Sequence, residues 1–555
     1  VRQYNTTEYN GINLLNKAED NIPAGMPKAG ASGFIDEDFE RITPDIVVSN
    51  PDELADAIAN NTTIGIANAE TLAKLAELVN SGTSCGGKTI TLTEDIDLSA
   101  YSTGEGWTPI GNDSLAFLGT FDGQGHKVKN LYINRPTTDA QGLFGNVYNG
   151  ELKNVGVENC NVTGSNCVGG IAGVCDGTIT NCYAIGNVEG KNNVAAFAGM
   201  VNSITNSYVV GNIIGEFRVG GLAGFCSSLV DNCYSVSNVN GQERVGGLVG
   251  NPTSSFSMLN SYSTGNVTGT NYVGGLVGFL YESTIMNSYA TGNVTGTNYV
   301  GGLIGESEFS SITNVYATGN VTGTSYVAGL SGSFYEASLT NCYAKGNVTG
   351  EGSVGGLIGL IHGTCTIMNS KSYSQSVVGG AETGSFVGCA DGGNTISGCK
   401  TIEIDGLSKI GTTDIYNDGI SYVKTSTTLQ VGINSDSSCQ ITFNTDFSFG
   451  LINQLKSLKV TDESSLDFID KFLNKISEKQ TDFGAVQNRL DSALEEIGTH
   501  IENLTSSRST LRDADIAKES SEYIRGQILQ QASSTLLSTA NQSPAIALTL
   551  LSGIR

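Results

Sequence analysis

Residues 260–305 read NSYSTGNVTGTNYVGGLVGFLYESTIMNSYATGNVTGTNYVGGLIG, one unit written out almost twice. In each unit an Asn-x-Tyr leads into a G-N-V-x-G turn, which leads into a V-G-G-L-x-G run. Outward from this stretch the turn recurs at Gly186, Gly211, Ser237, Gly265, Gly292, Gly319 and Gly346, with a spacing of 25 to 28 residues. The apolar run recurs at Val219, Val245, Val273, Val300 and Val354. A fixed period of this size means stacked units that share one continuous core, because a single unit cannot bury its apolar face alone. Every unit has short β-like runs, Gly at tight corners and no helical period. The predicted architecture is a β-solenoid, with internal Val, Leu and Ile stacking from coil to coil. The Asn of Asn-x-Tyr (Asn181, Asn206, Asn232, Asn260, Asn287, Asn314, Asn341) is expected to form a ladder at one corner.

Upstream, Asp52 to Asn60 and Ala69 to Val79 have helix-like apolar spacing within an otherwise irregular stretch. KTITLTEDIDLS (Lys88 to Ser99) then alternates as a strand does. WTPIG (Trp107 to Gly111), FLGTFDGQGHKVKNLYI (Phe117 to Ile133) and GLFG (Gly142 to Gly145) follow. After Tyr373 the period decays through VGGAETGSFVG and TISGCKT, which reads as a cap on the solenoid edge. The V-G-G-L-V-G and N-x-Y motifs resemble the GLUG family over residues 150 to 372. The run before them resembles the module that precedes GLUG repeats in bacterial surface proteins.

From Ser464 the period changes. Leu466, Ile469, Phe472, Leu473, Ile476, Phe483, Val486, Leu490, Leu494, Ile497, Ile501 and Leu504 are mostly three, four or seven apart, one stripe along a long helix. Ser464 with Asp467 offers a capping box at its start. The polar run Thr505-Ser506-Ser507-Arg508-Ser509 reads as a break, and Thr510 with Asp513 as the cap of a second helix carrying Ile524, Ile528, Ala532 and Leu536. A single narrow stripe of this length requires partner helices.

These residues also carry a family likeness. FGAVQNRL (Phe483 to Leu490), SRSTLRDADIAKES (Ser507 to Ser520), QILQQA (Gln527 to Ala532) and ANQSP (Ala540 to Pro544) resemble the C-terminal domain of bacterial flagellin. RQYNTTEYNGINLL (Arg2 to Leu15) resembles the tail of the N-terminal flagellin domain, with Asn10-Gly11 as a tight-turn dipeptide. In that family a segment like TLQVGINS follows shortly afterwards; here it stands at Thr428 to Ser435, so residues 17 to 425 read as an insertion. The long helix that normally precedes the stub is absent, and the lack of an initiating Met reads as a fragment. The expected fold is mixed α and β: a β-solenoid of GLUG-type repeats inserted into a long-helix, coiled-coil-like flagellin core. Its expected parts are the end of the N-terminal flagellin domain (1–16), an irregular, partly helical linker (17–87) and a β lead-in module (88–149). The GLUG solenoid with its cap (150–401), a filament-core domain with the long helix (426–505) and the C-terminal flagellin helix (506–555) follow.

The resemblance implies a structural subunit of a flagellar filament. Such a subunit is extracellular, has no cleaved leader and leaves through the flagellar export apparatus, with the capping machinery as a further partner. Polymerisation would use Leu466, Ile469, Ile476, Phe483, Leu490, Ile497 and Leu504, then Arg508, Asp513, Asp515, Gln527, Gln531, Asn541 and Pro544. Flagellin is also read by a Toll-like receptor, chiefly through an N-terminal helix missing here. Gln487, Asn488, Arg489 and Leu490 lie on the companion helix as receptor-facing residues, and weakened recognition is expected. The alternative function is a surface adhesin or glycan-binding module acting through the repeats on host glycans. Exposed Tyr272, Tyr299 and Tyr326, which precede equivalent strands, are its candidates; simple aromatic stacking along the solenoid explains them as well.

Composition narrows the partners. Acidic residues outnumber basic ones 54 to 29, for a net charge of −25, and no Lys/Arg run stands out, so nucleic acid is not an expected partner. No apolar run approaches the length of a membrane span, and the opening Val1-Arg2-Gln3-Tyr4 is not a secretory signal. The 12 cysteines form no C-x-x-C pair, which argues against zinc. Cys160 and Cys167 flank the turn NVTGSN, and Cys175/Cys182 and Cys226/Cys233 repeat that gap. Two readings stay open, disulfides across adjacent strands or small apolar residues filling Ser and Val positions. Several N-V-T triplets match the glycosylation sequon, but repeat geometry is the preferred explanation. No enzyme is expected. His126, His362 and His500 form no H-E-x-x-H, there is no G-x-S-x-G or P-loop, and no cofactor or metal is implied. Asp231, Glu243, Glu282, Glu306, Glu308 and Glu336 do not recur at a fixed offset and are expected mostly in variable connections, while Asp95, Asp97 and Asp122 shape turns.

Overall fold

One residue per coil builds a continuous inward column. In the computed structural model Ile64 pairs in parallel with Ile90, Ile90 with Phe121, Phe121 with Leu152 and Leu152 with Ile179. The column runs on through Ile204, Val230, Met258, Ile285, Ile312, Leu339 and Ile367 to Ile396. Every member is buried. A second column runs from Val188 through Ile213, Val239, Val267, Val294, Val321 and Val348 to Val377. A third joins Val194, Val219, Val245, Val273, Val300, Val327 and Val354. All three belong to one core. About 13 turns are stacked, and at about 4.8 Å per rung the stack is on the order of 60 Å long. The structure describes residues 41–402, 404, 407–413, 420–423, 426–430, 440–444 and 463–552, with side chains only in part of the last segments. The stub at 1–16 and most of TLQVGINS lie outside the described residues.

The Asn ladder is present. Each Asn of Asn-x-Tyr adopts a left-handed φ between 50° and 56°, a conformation that Asn tolerates better than most residues. Asn181 Nδ2 donates to Asn154 Oδ1 at 2.7 Å, and Asn232, Asn287, Asn314 and Asn341 donate likewise to the preceding coil. Asn260 instead donates to Asp231. The Tyr of the same motif forms a stack that the sequence reading did not anticipate. Tyr183, Tyr208, Tyr234, Tyr262, Tyr289, Tyr316 and Tyr343 lie ring on ring at 4.7 to 5.1 Å, within 6° of parallel. That spacing is the interstrand distance itself, so pairing in register places the rings in contact. The N-V-T asparagines have a structural task too: Asn266, Asn293 and Asn320 Oδ1 each accept the backbone N–H of their counterpart one coil on, at 3.0 Å.

The cysteines resolve in favour of core filling. Cys160, Cys167, Cys175, Cys182, Cys226 and Cys233, the cysteines of the three seven-residue gaps, all carry free thiols, which corrects the disulfide reading for them. In one column Cys182 and Cys233 are separated by Ser207, whose hydroxyl accepts the Cys182 N–H at 3.1 Å. In another, Val201 stands between Cys175 and Cys226. Like-placed thiols are thus two coils apart. Burial pushes Cys160, Cys175, Cys182, Cys226 and Cys342 up to about 12, so they are poor nucleophiles.

The coiling extends past both expected edges. Strands Ile46–Val48 and Thr63–Ile66 stack on Thr89–Leu92, so part of the stretch expected as a linker supplies coils. The helices Leu54–Asn60 and Ala69–Asn80 fall where the spacing placed them, and Leu54, Ile58, Leu72, Leu75 and Val79 join the same core. Asn68 caps the second, accepting from Thr71 N at 2.9 Å. At the other edge Ser408–Thr413 and Ile420–Val423 continue the pairing beyond residue 401.

The chain divides into two units, residues 1–424 with 446–458 and residues 425–445 with 459–555. In the second, Ser426–Gln430 pairs antiparallel with Gln440–Asn444, and a single helix runs from Glu463 to Ser552. The expected break at 505–509 is absent. The run contains no Pro or Gly, and Ser and Thr can return a hydroxyl to the i−4 carbonyl within a helix. Thr510 does so, donating to Ser506 O at 3.0 Å instead of capping with Asp513. Ser464 likewise lies inside the first turn.

Coil packing can be tested at glycine. A Cβ at Gly319 would fall inside the backbone carbonyl of Gly292, whereas at Gly352 the nearest atom is Ser325 Cα at 3.4 Å. Gly319→Ala should lower stability by about 1–3 kcal/mol or more, and Gly352→Ala should be near neutral. Denaturant midpoints of the two variants compare them; equal midpoints would contradict the stacking described.

Candidate functional site

Among the described residues, the long helix leaves most of its apolar side chains exposed. Leu494, Ile497, Ile501 and Leu504, three or four apart and so on one face, are 65, 37, 58 and 69% exposed. Leu473, Ile516, Ile524, Ile528, Leu529, Leu536 and Leu537 are exposed as well. Of the residues expected to pack between subunits, Leu490 is half-buried, and Ile497, Leu504, Arg508, Asp515, Gln527 and Gln531 are exposed. Leu466, Ile469, Ile476, Phe483, Asp513, Asn541 and Pro544 are helical positions whose side chains lie outside the described residues. Gln487, Asn488 and Arg489 are exposed beside Leu490. No helix among the described residues is long and apolar enough to cross a membrane.

The solenoid carries a second surface. Tyr272, Tyr299 and Tyr326 stack at 5.0 and 4.8 Å and are half-buried. Stacking is therefore what these residues do structurally, with one edge left to solvent. Next to them, strands Val277–Tyr281, Ile304–Glu308, Ser331–Tyr335 and Ile358–His362 pair in register. Their outward positions give two lines, Phe279, Glu306, Ser333, Leu360 and Tyr281, Glu308, Tyr335, His362. Tyr272 meets Phe279 edge-on at 5.7 Å, and Tyr335 stacks on His362 at 4.3 Å. Phe309, 41% exposed, packs on Tyr281 and Tyr335 and borders a shallow groove of about 360 Å³ with Glu282 and Glu336.

Glu306 and Glu308 are thus strand residues, which corrects their placement in variable connections; Asp231 and Glu243 are on strands too. Outward positions of these strands are free to vary between coils, and in sequence that variability looks like a loop. Glu306 is only 7% exposed and forms no ion pair among the described residues. Burial raises its carboxyl from 4.5 to about 7; the neighbouring Ser333 hydroxyl offsets part of this, and the Glu308 charge adds to it. Arg244 is the nearest cation on this face. Its guanidinium lies over Phe279 at 4.9 Å and donates to Asn251 Oδ1 at 2.6 Å. Among the described residues no cluster of His, Cys, Asp and Glu could hold a metal ion.

Two parts of the chain have known counterparts. Residues 466–551 match the bacterial flagellin C-terminal helical region, and residues 241–268, 269–295 and 296–322 each match the GLUG motif. YvzB of Bacillus subtilis (strain 168), a chain named as a flagellin, is 38% identical over 130 residues, 22% of this chain and 80% of its own length. That coverage places the present chain in the bacterial flagellin family. The flagellin of Halalkalibacterium halodurans is 34% identical over 152 residues, 27% of this chain and 54% of that one. Halomucin of Haloquadratum walsbyi is 41% identical over 139 residues, 23% of this chain and 2% of its own. The chain therefore spans about half of the second relative and a small fraction of the third. A Bacteroides ovatus crystal structure, described as that of an immunoglobulin A1 protease, superposes with a TM-score of 0.31 at 19% identity. It covers 52% of this chain and 76% of its own, a likeness too slight to bear on function.

Glu306 gives the solenoid a pH dependence of fixed sign. The native carboxyl holds its proton to about pH 7 and the unfolded one to about 4.5. Between those values the native state binds more protons, so stability falls as pH rises through the window. The wild type should lose roughly 2–3 kcal/mol between pH 5 and pH 8 that Glu306→Gln does not lose. Denaturant titrations of both at the two pH values measure this; identical pH dependence would contradict it.

Proposed function

We propose that this chain is a non-enzymatic structural subunit of a bacterial flagellar filament, which assembles through its C-terminal helix and displays the solenoid outward. One observation carries the reading: the segment that matches the flagellin C-terminal region is a long helix, and most of its described apolar side chains are exposed. A helix of that kind gains little stability alone and is completed by other helices. Further copies of the same chain supply them in a filament, which makes the coiled-coil core a property of the assembly. The packing residues are those of the stripe and of the segment Arg508 to Pro544. Placement is extracellular, with the flagellar export and capping machinery as partners and Gln487 to Leu490 as the part open to a Toll-like receptor.

The outward position of the solenoid follows from where the insertion sits. The stub resembling the N-terminal domain and the segment from Thr428 are near neighbours in the family pattern, so the solenoid leaves and re-enters at almost one point. Added length at such a point perturbs the host little. The aromatic and carboxylate face favours a second, compatible role, in which the displayed solenoid binds glycans.

Replacing residues 17–425 by a short turn, with a flagellin N-terminal helix supplied, should leave filaments intact but thinner. Electron microscopy reads the diameter. Loss of assembly while the helices remain folded would put the solenoid inside the polymer core and overturn the proposal.

A further inference from the structure

Tyr272, Tyr299 and Tyr326 occupy one corner of three successive coils at φ of 54°, 55° and 55°. A bulky L-residue is strained there, and the corner does not require one: Asn193 holds it three coils earlier than Tyr272 at φ 52°. The backbone alone therefore does not account for three tyrosines. At one end the column is closed, since Tyr272 abuts Phe279 and the Arg244 guanidinium covers that ring. At the other end the next coil offers Gly352 and Ser353, because Val327 pairs with Val354. Ser353 is hydrogen-bonded to Glu382, and Tyr326 has no second ring or cation partner among the described residues. Its outer face is an aromatic platform at the end of a ladder.

The flank of this column changes character in step. Beside Tyr272 stands Phe279, but the same line continues with Glu306 and Ser333. From Tyr299 onward the rings border a carboxyl and a hydroxyl instead of an apolar cover. Glu306 is nine-tenths buried and has no ion pair among the described residues, in a stretch with no lysine between Lys191 and Lys345, where the basic residues are Arg218 and Arg244. Apolar ring surface next to a carboxyl, with the nearest cation, Arg244, held over Phe279 and hydrogen-bonded to Asn251 at the far end of the column, suits a neutral ligand with a weakly positive C–H face and many hydroxyl donors better than a phosphate, sulfate or sugar acid.

We propose that this face binds a neutral glycan laid along the solenoid axis, one sugar ring stacking on Tyr326 and a neighbouring hydroxyl donating to Glu306. The coil spacing, about 4.8 Å, is comparable to the length of one sugar residue, so successive residues meet successive rungs. The proposal deepens the glycan-binding role named above and rests on it, not on filament assembly. Calorimetry of the full chain against cellohexaose, mannohexaose and maltohexaose, with oligogalacturonate and a glucosamine hexamer as charged counterparts, tests it. At least one neutral hexasaccharide should bind in preference to both charged ones. Tyr326→Leu, which keeps bulk but removes the aromatic face, should weaken binding about ten-fold, and Tyr326→Phe should stay within about two-fold of wild type. If none of the saccharides binds the wild type, the glycan-binding role itself fails. If one binds and Tyr326→Leu binds it equally, or a charged oligomer binds best, that role stands and the site assigned here is wrong.

Discussion

Every chemical feature of the solenoid depends on one constraint, parallel backbone pairing held in register from coil to coil. Once Ile285 pairs with Ile312 and Ile312 with Leu339, every other residue of those coils is committed to a column as well. The constraint explains why like residues meet like. Asn bonds to Asn, Tyr stacks on Tyr, and Val packs on Val, because each position recurs one interstrand distance away. It also explains why glycine is required where it is, at corners where two backbones approach more closely than a Cβ allows.

The same constraint decided what could be read in advance. The V-G-G-L-x-G run and the Asn ladder were legible because they repeat in both identity and spacing. The Tyr stack was less so: alternation shows which residues turn inward, but not that a polar-tipped ring lies flat on its copy. The first coils were hidden because the rungs Ile64, Ile90, Phe121 and Leu152 are unevenly spaced and two helices interrupt them. Glu306 and Glu308 were misplaced for a related reason, since the outward face of a coil is where repeats are free to differ. In the helix the polar run at 505–509 resembled a terminus. Capping residues mark an end only where the backbone actually stops, and here Thr510 bonds back into the helix.

The two units obey different physics. In the solenoid each coil is stabilised by its neighbours within the chain, so the core is complete in one copy. In the helix the apolar stripe is exposed over most of its described length and has no such neighbour. A filament role assigns that missing neighbour to other subunits, and the family membership of the chain supplies the precedent.

The most direct test of this division is hydrogen exchange of the full chain, alone and after assembly with a flagellin N-terminal helix. Amides of the inward columns between Ile64 and Ile396 should be protected in both states, while those of Glu463–Ser552 should exchange rapidly alone and slow only on assembly. Strong protection of the helix in the isolated chain would mean that its stripe is already satisfied, and would contradict the account.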